Sequence, residues 1–169
     1  PDRCNRISAW TQPVSQSNEL YSLLIPLREE RLLVPRICIA EVIAFADAPE
    51  LPEGEAPDWF VGTVEWSGRR VPVVSLDAEV DAAAENRRGR RRIVIFHALT
   101  PELKGRYYGI LTQGFPQLVR VNRDVLSADP EYTPPSDRPI LCRVRMIHEY
   151  PVIPDFEALE QKIAALHVA

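Results

Sequence analysis

The chain has 169 residues, 46% hydrophobic and 26% charged, a composition typical of a soluble globular protein rather than a disordered one. Lysine and arginine total 20 against 24 aspartate and glutamate residues, and the net charge of −4 argues against general nucleic-acid binding by the whole chain. Glycine is scarce (7) and proline abundant (16), so proline-rich connections are expected between short elements.

Residues 1–19 are polar and irregular, which predicts a flexible N-terminal tail ahead of a single domain over 20–169. The tail has no apolar core of a signal peptide, and no stretch approaches the ~18 apolar residues of a membrane span. The three cysteines form no CxxC pair, and an odd number suits a reducing compartment. We therefore expect a cytoplasmic protein with no direct membrane insertion.

The first half of the chain predicts strands separated by polar segments. Two apolar runs, 21–27 and 31–36, flank a polar turn and predict a strand pair. Residues 36–46 are apolar almost throughout, with a single acid, Glu41, which favours a short buried helix leading into a strand. Residues 47–58 hold five acids, three prolines and no basic residue, and they predict an exposed loop.

Residues 59–76 predict a β-hairpin around the turn Ser67-Gly68. Strict alternation places Phe60, Gly62, Val64 and Trp66 on one face, and Val61, Thr63 and Glu65 on the other. Pro72 removes a hydrogen-bond donor from the second strand, which predicts that it lies at a sheet edge or a bulge.

The second half adds more strands and two helices. Strand patterns occur at 92–99, 107–113, 115–121 and 140–150. The alanine-rich residues 77–86 predict a helix, and residues 154–166 predict an amphipathic C-terminal helix. About eight short strands with brief helices favour a mainly all-β, barrel-like fold over a parallel α/β fold.

Catalytic and metal-binding patterns are missing from the sequence. There is no GxSxG, P-loop, HExxH or GxGxxG, and the three histidines have no ligand spacing to one another or to a cysteine. We therefore expect no enzyme activity, no cofactor and no metal site.

The basic cluster at 87–92 has five arginines in six residues. It predicts either a solvated loop that balances the acidic loop or a contact with a partner. A nucleic-acid patch would need aromatic residues among the arginines, and none is near in the sequence. Nucleic-acid binding by the predicted barrel through 87–92 is the alternative function. The other function is recognition of a protein partner by the hairpin.

The hairpin carries a family resemblance. Its sequence FVGTVEWSGRRVPVVSL resembles the central CheW-family motif, hydrophobic-x-G-x-x-N-L-R-G-x-x-x-P-h-h-D-L, with Gly62, Gly68, Pro72 and Leu76 in register. The flanking segments LLIPLREERLLVPRICIAEVIAF, RRIVIFHAL, YYGILTQGF and QLVRV are similar to the strands on either side of that motif. The resemblance covers roughly 20–165.

The resemblance implies two intertwined SH3-like five-stranded β-barrels with short helices and a C-terminal helix. It implies a non-enzymatic adaptor that couples the cytoplasmic tip of a methyl-accepting chemoreceptor to the regulatory domain of a CheA-type histidine kinase. Kinase contacts then fall at Glu41, Val42, Arg70 and Val71. Receptor contacts fall at Ile39, Gly62 and Leu118, in a groove between the barrels, and at Ser67 in the hairpin turn.

Two positions depart from the family motif. Ser67 stands where the motif has its turn arginine, and Ser75 stands where it has aspartate. Serine cannot supply the bidentate charged contact of arginine, so either Arg69 or Arg70 replaces it or the receptor differs.

A narrower resemblance concerns the LLIPL opening, the W-x-G turn and the segment QGFPQLVRVNR. These are most similar to ChpC-type adaptors of the type IV pilus chemosensory systems that control twitching motility.

Overall fold

The computed structural model describes residues 19–45, 50, 54–77 and 90–166. The predicted tail up to residue 18, the predicted helix after Asp77 and the first half of the arginine run lie outside these residues. Strands make up 47% of the structure and there is one α-helix in the described part, which confirms the mainly all-β class.

The strands and helices follow one another along the chain with short connections. The first six strands are β1 (Leu20–Pro26), β2 (Arg31–Pro35), β3 (Ile39–Ala44), β4 (Phe60–Trp66), β5 (Arg69–Val74) and β6 (Arg92–His97). The remaining five are β7 (Tyr107–Thr112), β8 (Gln117–Val121), β9 (Ser127–Ala128), β10 (Ile140–Arg145) and β11 (Val152–Pro154). A 3-10 turn (Arg36–Cys38) precedes β3, and helix α1 (Phe156–Ala165) follows β11.

The predicted strands are present, with two additions and one correction. Strands β9 and β11 are only two and three residues long, too short to leave a period in the sequence. The predicted buried helix after β2 is a single 3-10 turn. Cys38 in that turn is buried, whereas Ile37 is 85% exposed.

The strands form two sheets that interleave along the chain. The six-stranded sheet has the order β8-β1-β2-β11-β10-β9, and the five-stranded sheet has the order β3-β6-β7-β5-β4. Both ends of the described chain build the first sheet, while its middle builds the second. No cut in the sequence therefore separates the two sheets.

Each sheet curls around its own small core. Val71, Val73, Ile93, Ile95 and Leu111 fill the five-stranded sheet, and Leu24, Leu33, Val121 and Val144 fill the six-stranded one. A third, larger cluster lies on the opposite faces of the same strands and includes Ile25, Val34, Val94, Phe96 and Ile110. This arrangement confirms two SH3-like barrels. One has a sixth strand because the two-residue β9 joins it.

A bulge in β4 corrects the predicted alternation of the hairpin. Phe60 pairs with Val74 and Gly62 with Val73, so one extra residue lies between the two pairs. The bulge turns Phe60 toward the cluster between the barrels, while Val64 and Trp66 pack into the five-stranded barrel. Gly62 has φ 138°, a backbone conformation that favours glycine.

Pro72 lies in an inner strand where its missing N–H breaks no hydrogen bond. Its partner Thr63 exchanges both backbone hydrogen bonds with Glu50, at 2.9 Å each, so the Thr63 N–H and C=O point away from Pro72. Pairing of β5 with β7 begins only at Val73. Pro72 therefore lies in a part of β5 where the ladder needs no N–H donor, as at the edge of a sheet.

Helix α1 is fixed to the barrels by apolar contacts and by a buried carboxylate. Leu159 and Ile163 enter the cluster between the barrels, as the helical period predicted. The fully buried Glu160 was not anticipated; its carboxylate accepts hydrogen bonds from the N–H groups of Leu99 at 2.6 Å and Thr100 at 2.7 Å. Burial, with a smaller contribution from Glu160, raises the pKa of Tyr108.

Gly109 in β7 offers a test of how tightly the five-stranded barrel is packed. A Cβ at this position would lie 2.6 Å from Ile93 Cγ2 and 3.3 Å from Val73 Cγ2. Gly109→Ala is expected to lower the free energy of unfolding by about 1–3 kcal/mol, measured by urea denaturation. Gly105→Ala is the matched control because its Cβ would meet nothing within 4 Å. Equal stability of the two variants would contradict this packing.

Candidate functional site

A continuous group of polar and aromatic side chains crosses one end of the five-stranded barrel, with one residue from each strand. We call this group the rim: Glu41 of β3, His97 of β6, Tyr107 of β7, Arg69 of β5 and Trp66 of β4. Tyr107 is its centre, because its ring lies 5.3 Å from the ring of His97 and 5.0 Å from that of Trp66. Arg69 Cζ lies 5.5 Å from the same ring, within the range of a cation–π contact.

One hydrogen bond of the rim joins the two edges of the sheet. The indole Nε1–H of Trp66 on β4 donates to Glu41 Oε2 on β3 at 2.7 Å. Strands β3 and β4 are the outermost strands of the five-stranded sheet, so this contact helps close the barrel. Glu41 is itself exposed, and within the described part of the chain its other carboxylate oxygen has no hydrogen-bond donor.

The hairpin turn beside the rim has a tightly defined backbone. Ser67 has φ 50° and Gly68 has φ 71°, the two positive values of a type I′ turn. Both residues are exposed. The sequence placed the turn correctly, and Ser67 lies at its tip with a short side chain where the family motif has arginine.

The two arginines after the turn have different partners. Arg70 Nη2 donates to Glu50 Oε2 at 2.8 Å and to Thr63 Oγ1 at 3.3 Å. The ion pair is exposed on both sides, so it contributes only about 0–1 kcal/mol. Arg69 instead rests on the ring of Tyr107, and both guanidinium groups therefore have defined directions.

The residues expected to contact a kinase separate into surface and interior positions. Glu41 and Arg70 are exposed, at or beside the rim. Val42 is half-buried against the cluster between the barrels. Val71 is only 1% exposed and fills the barrel interior, so its side chain does not reach the surface and the expectation of a direct contact needs correcting.

The residues expected to contact a receptor do not form one patch. Ser67 lies beside the rim, while Leu118 is 55% exposed on β8 of the other barrel. Ile39 and Leu23, the residue opposite Leu118, both pack against the cluster between the barrels. Gly62 is buried and acts through the bulge it permits. Ile39 and Leu118 thus border the same junction, and Ser67 does not share it.

The end of the barrel away from the rim carries the described part of the arginine run. Arg92 Cζ lies 4.1 Å from the ring centroid of Phe115, and Arg91 Cζ lies 5.9 Å from that of Phe45. No aromatic residue was expected near these arginines from the sequence. Both phenylalanines come from distant segments, which the fold brings to the start of β6.

A charged cleft of about 590 Å³ lies between the β1–β2 and β10–β11 turns. Its acids and bases neutralise one another: Arg31 pairs with Glu149 at 2.9 Å, and Arg138 pairs with Glu30. The first pair joins the two turns, and the second joins the β1–β2 turn to the segment before β10.

Comparison with known families agrees with this architecture. The sequence model of the CheW-like domain family matches residues 22–159, and the chain belongs to that family. The crystal structure of the scaffolding protein TtCheW from Thermoanaerobacter tengcongensis is similar, with a TM-score of 0.62 at 16% identity over 80% of this chain and 83% of that chain. At this identity the likeness shows the fold. No curated protein matches the sequence.

Family membership settles the general class of function. CheW-like domains are non-enzymatic scaffolds and adaptors, which confirms that the chain is not an enzyme and supports an adaptor role in chemotaxis. Among the described residues, no helix is long and apolar enough to cross a membrane.

The contribution of the Trp66–Glu41 hydrogen bond is measurable with a double-mutant cycle. Trp66→Phe removes the donor and keeps an aromatic ring, and Glu41→Ala removes the acceptor. We expect a coupling energy of about 1 kcal/mol in urea unfolding. The control cycle pairs Trp66→Phe with Glu65→Ala, an exposed acid on the same strand, and should give additive effects. Additivity in both cycles would show that the bond does not help close the barrel.

Proposed function

We propose that the chain is a cytoplasmic adaptor that holds the regulatory domain of a CheA-type histidine kinase and the tip of a methyl-accepting chemoreceptor in a fixed relative position. The rim is the observation that carries this proposal. It presents aromatic and charged side chains on a rigid strand framework, and the adaptor family supplies the class of partner. Arginine, tryptophan and tyrosine are enriched among the residues that dominate binding energy at protein interfaces.

The kinase side of the proposal uses the rim. Trp66 holds Glu41 by one carboxylate oxygen, so the other oxygen is presented to a donor on the kinase with little loss of side-chain freedom. Arg70 lies on the strand after the turn and is held by Glu50. Val42 and Val71 contribute from beneath, by fixing the positions of β3 and β5.

The receptor side of the proposal uses the junction between the barrels. Leu118 supplies an exposed apolar side chain there, Ile39 borders the same junction, and Gly62 shapes the bulged strand. A second receptor contact lies at the hairpin turn, apart from this junction, and there we assign the role of the missing turn arginine to Arg69 rather than Arg70. Arg69 rests on an aromatic ring and is free to exchange partners, whereas Arg70 already has two hydrogen-bond acceptors.

The signalling system is proposed from the narrower resemblance alone. The LLIPL opening, the W-x-G turn and QGFPQLVRVNR are most similar to ChpC-type adaptors. We therefore place the chain in a type IV pilus chemosensory system that controls twitching motility. The alternative within the same class of adaptor is a role in flagellar chemotaxis.

The kinase contact is tested by Glu41→Gln. Glutamine keeps an acceptor for Trp66 and removes the charge, so the fold is retained while the affinity for the kinase regulatory domain is expected to fall about tenfold, or ~1.4 kcal/mol. Calorimetric titration measures this change. Glu65→Gln, an exposed acid on the same barrel, is the matched control and should bind like the wild type. Equal affinities for both variants would remove Glu41 from the interface.

One structural observation favours the alternative function, nucleic-acid binding through 87–92. Phe115 is 69% exposed and lies under Arg92, an arrangement suited to stacking of a base beside a phosphate contact. The net charge of −4 opposes it. The adaptor proposal predicts no saturable binding of a single-stranded oligonucleotide.

The discriminating measurement is a fluorescence anisotropy titration with that oligonucleotide across a salt series. Binding that weakens steeply with salt and is lost in Arg92→Ala would favour the nucleic-acid function. Phe115→Ala should then weaken binding with little change in the salt dependence.

A further inference from the structure

Strand β8 presents a free backbone edge on the six-stranded barrel. It pairs with β1 over residues 117–121 and is the last strand on that side of the sheet, among the described residues. Its sequence, QLVRV, has no proline, and no bulge interrupts its pairing with β1. Free edges of this kind are usually blocked by short strands, proline, bulges or charge, because unpaired N–H and C=O groups bind other strands.

Apolar side chains beside this edge are exposed, next to the polar Gln117 and Arg120. Leu118 is 55% exposed, and Tyr21, on the same face of the neighbouring strand, is 53% exposed. Phe115, just before β8, is 69% exposed. Arg120 carries the one charge on the strand, and it already pairs with Glu19 at 3.4 Å. The edge therefore lacks an unpaired charge that would repel a second strand.

We propose that β8 pairs antiparallel with β8 of a second copy of this chain, with Val119 on the two-fold axis. A two-fold axis perpendicular to the sheet keeps each side chain on its own face. Residues directly opposite each other must therefore lie on the same face, so the numbers of the two paired residues must add up to an even number. Centring on Val119 pairs all five residues of the strand. It places Leu118 opposite Arg120 of the second copy, where the aliphatic stem of the arginine covers it.

Dimers centred on either neighbouring residue are less favourable. Centring on Arg120 would put two like charges directly opposite each other. Centring on Leu118 would pair Arg120 with Pro116, which has no N–H to donate. The register through Val119 is therefore the one that the charges and donors select, and it joins the two six-stranded sheets into one.

The dimer has a further consequence, which rests on the proposed function. Leu118 is also the exposed side chain at the proposed receptor junction. A strand paired along β8 covers it, so dimer formation and receptor docking compete for the same residue. Release of a receptor would then favour the dimer.

Sedimentation velocity over a concentration series of the full chain tests the dimer itself. The wild type is expected to shift from monomer to dimer as concentration rises, and Leu118→Lys is expected to remain monomeric. Leu141→Lys is the matched control, since Leu141 is 57% exposed on β10 and should leave the dimer intact. A wild type that is monomeric at every concentration, or a dimer that survives Leu118→Lys, would overturn the proposal.

Cysteine cross-linking tests the register independently of the kinase and the receptor. Val119→Cys places two thiols opposite each other across the axis, within the Cα separation of about 4.5–5.5 Å of paired strands, and should form a disulfide-linked dimer on oxidation. Gln117→Cys lies opposite Val121 of the second copy and should cross-link much less. The wild type, with its native cysteines Cys4, Cys38 and Cys142, gives the background. Cross-linking through Gln117→Cys but not Val119→Cys would overturn this register.

Discussion

Individual strands of this protein are buried on both faces, and the rest of the structure depends on this constraint. In β6, Ile93 and Ile95 enter the five-stranded barrel, while Val94 and Phe96 enter the cluster between the barrels. A strand with two apolar faces needs a core on each side. Here the sheet curls around one core and packs its outer face on the other, so β6 contributes to both at once.

Closure of the barrel produces the candidate site. Curling brings the edge strands β3 and β4 together, and the hydrogen bond from Trp66 to Glu41 forms where they meet. The same curvature places Tyr107 under Trp66 and Arg69. The rim is thus the polar end of a closed barrel, with side chains held by their neighbours. A docking surface of this kind needs no mobile loop to reach its bound geometry.

Sequence reasoning recovered what is local and missed what depends on distant contacts. Apolar periodicity located the long strands and α1, and the motif residues located the Ser67-Gly68 turn. The bulge after Phe60 reversed the face of that residue, which alternation cannot reveal. Val71 matched a position near the kinase-contacting surface of the family, yet its side chain is buried because it points into the five-stranded barrel. Glu160 and Tyr107 could not be singled out, because their contacts are with residues that lie far from them in the sequence.

The central claim is that one small chain holds two partners simultaneously, and sedimentation of a three-component mixture tests it most directly. The kinase regulatory domain and a receptor-tip fragment from the same genome would be mixed with and without the chain. If the chain bridges them, the two partners sediment together only when the chain is present, in a complex that survives high salt. If each partner displaces the other from the chain, the two surfaces are not independent and the bridging role is contradicted.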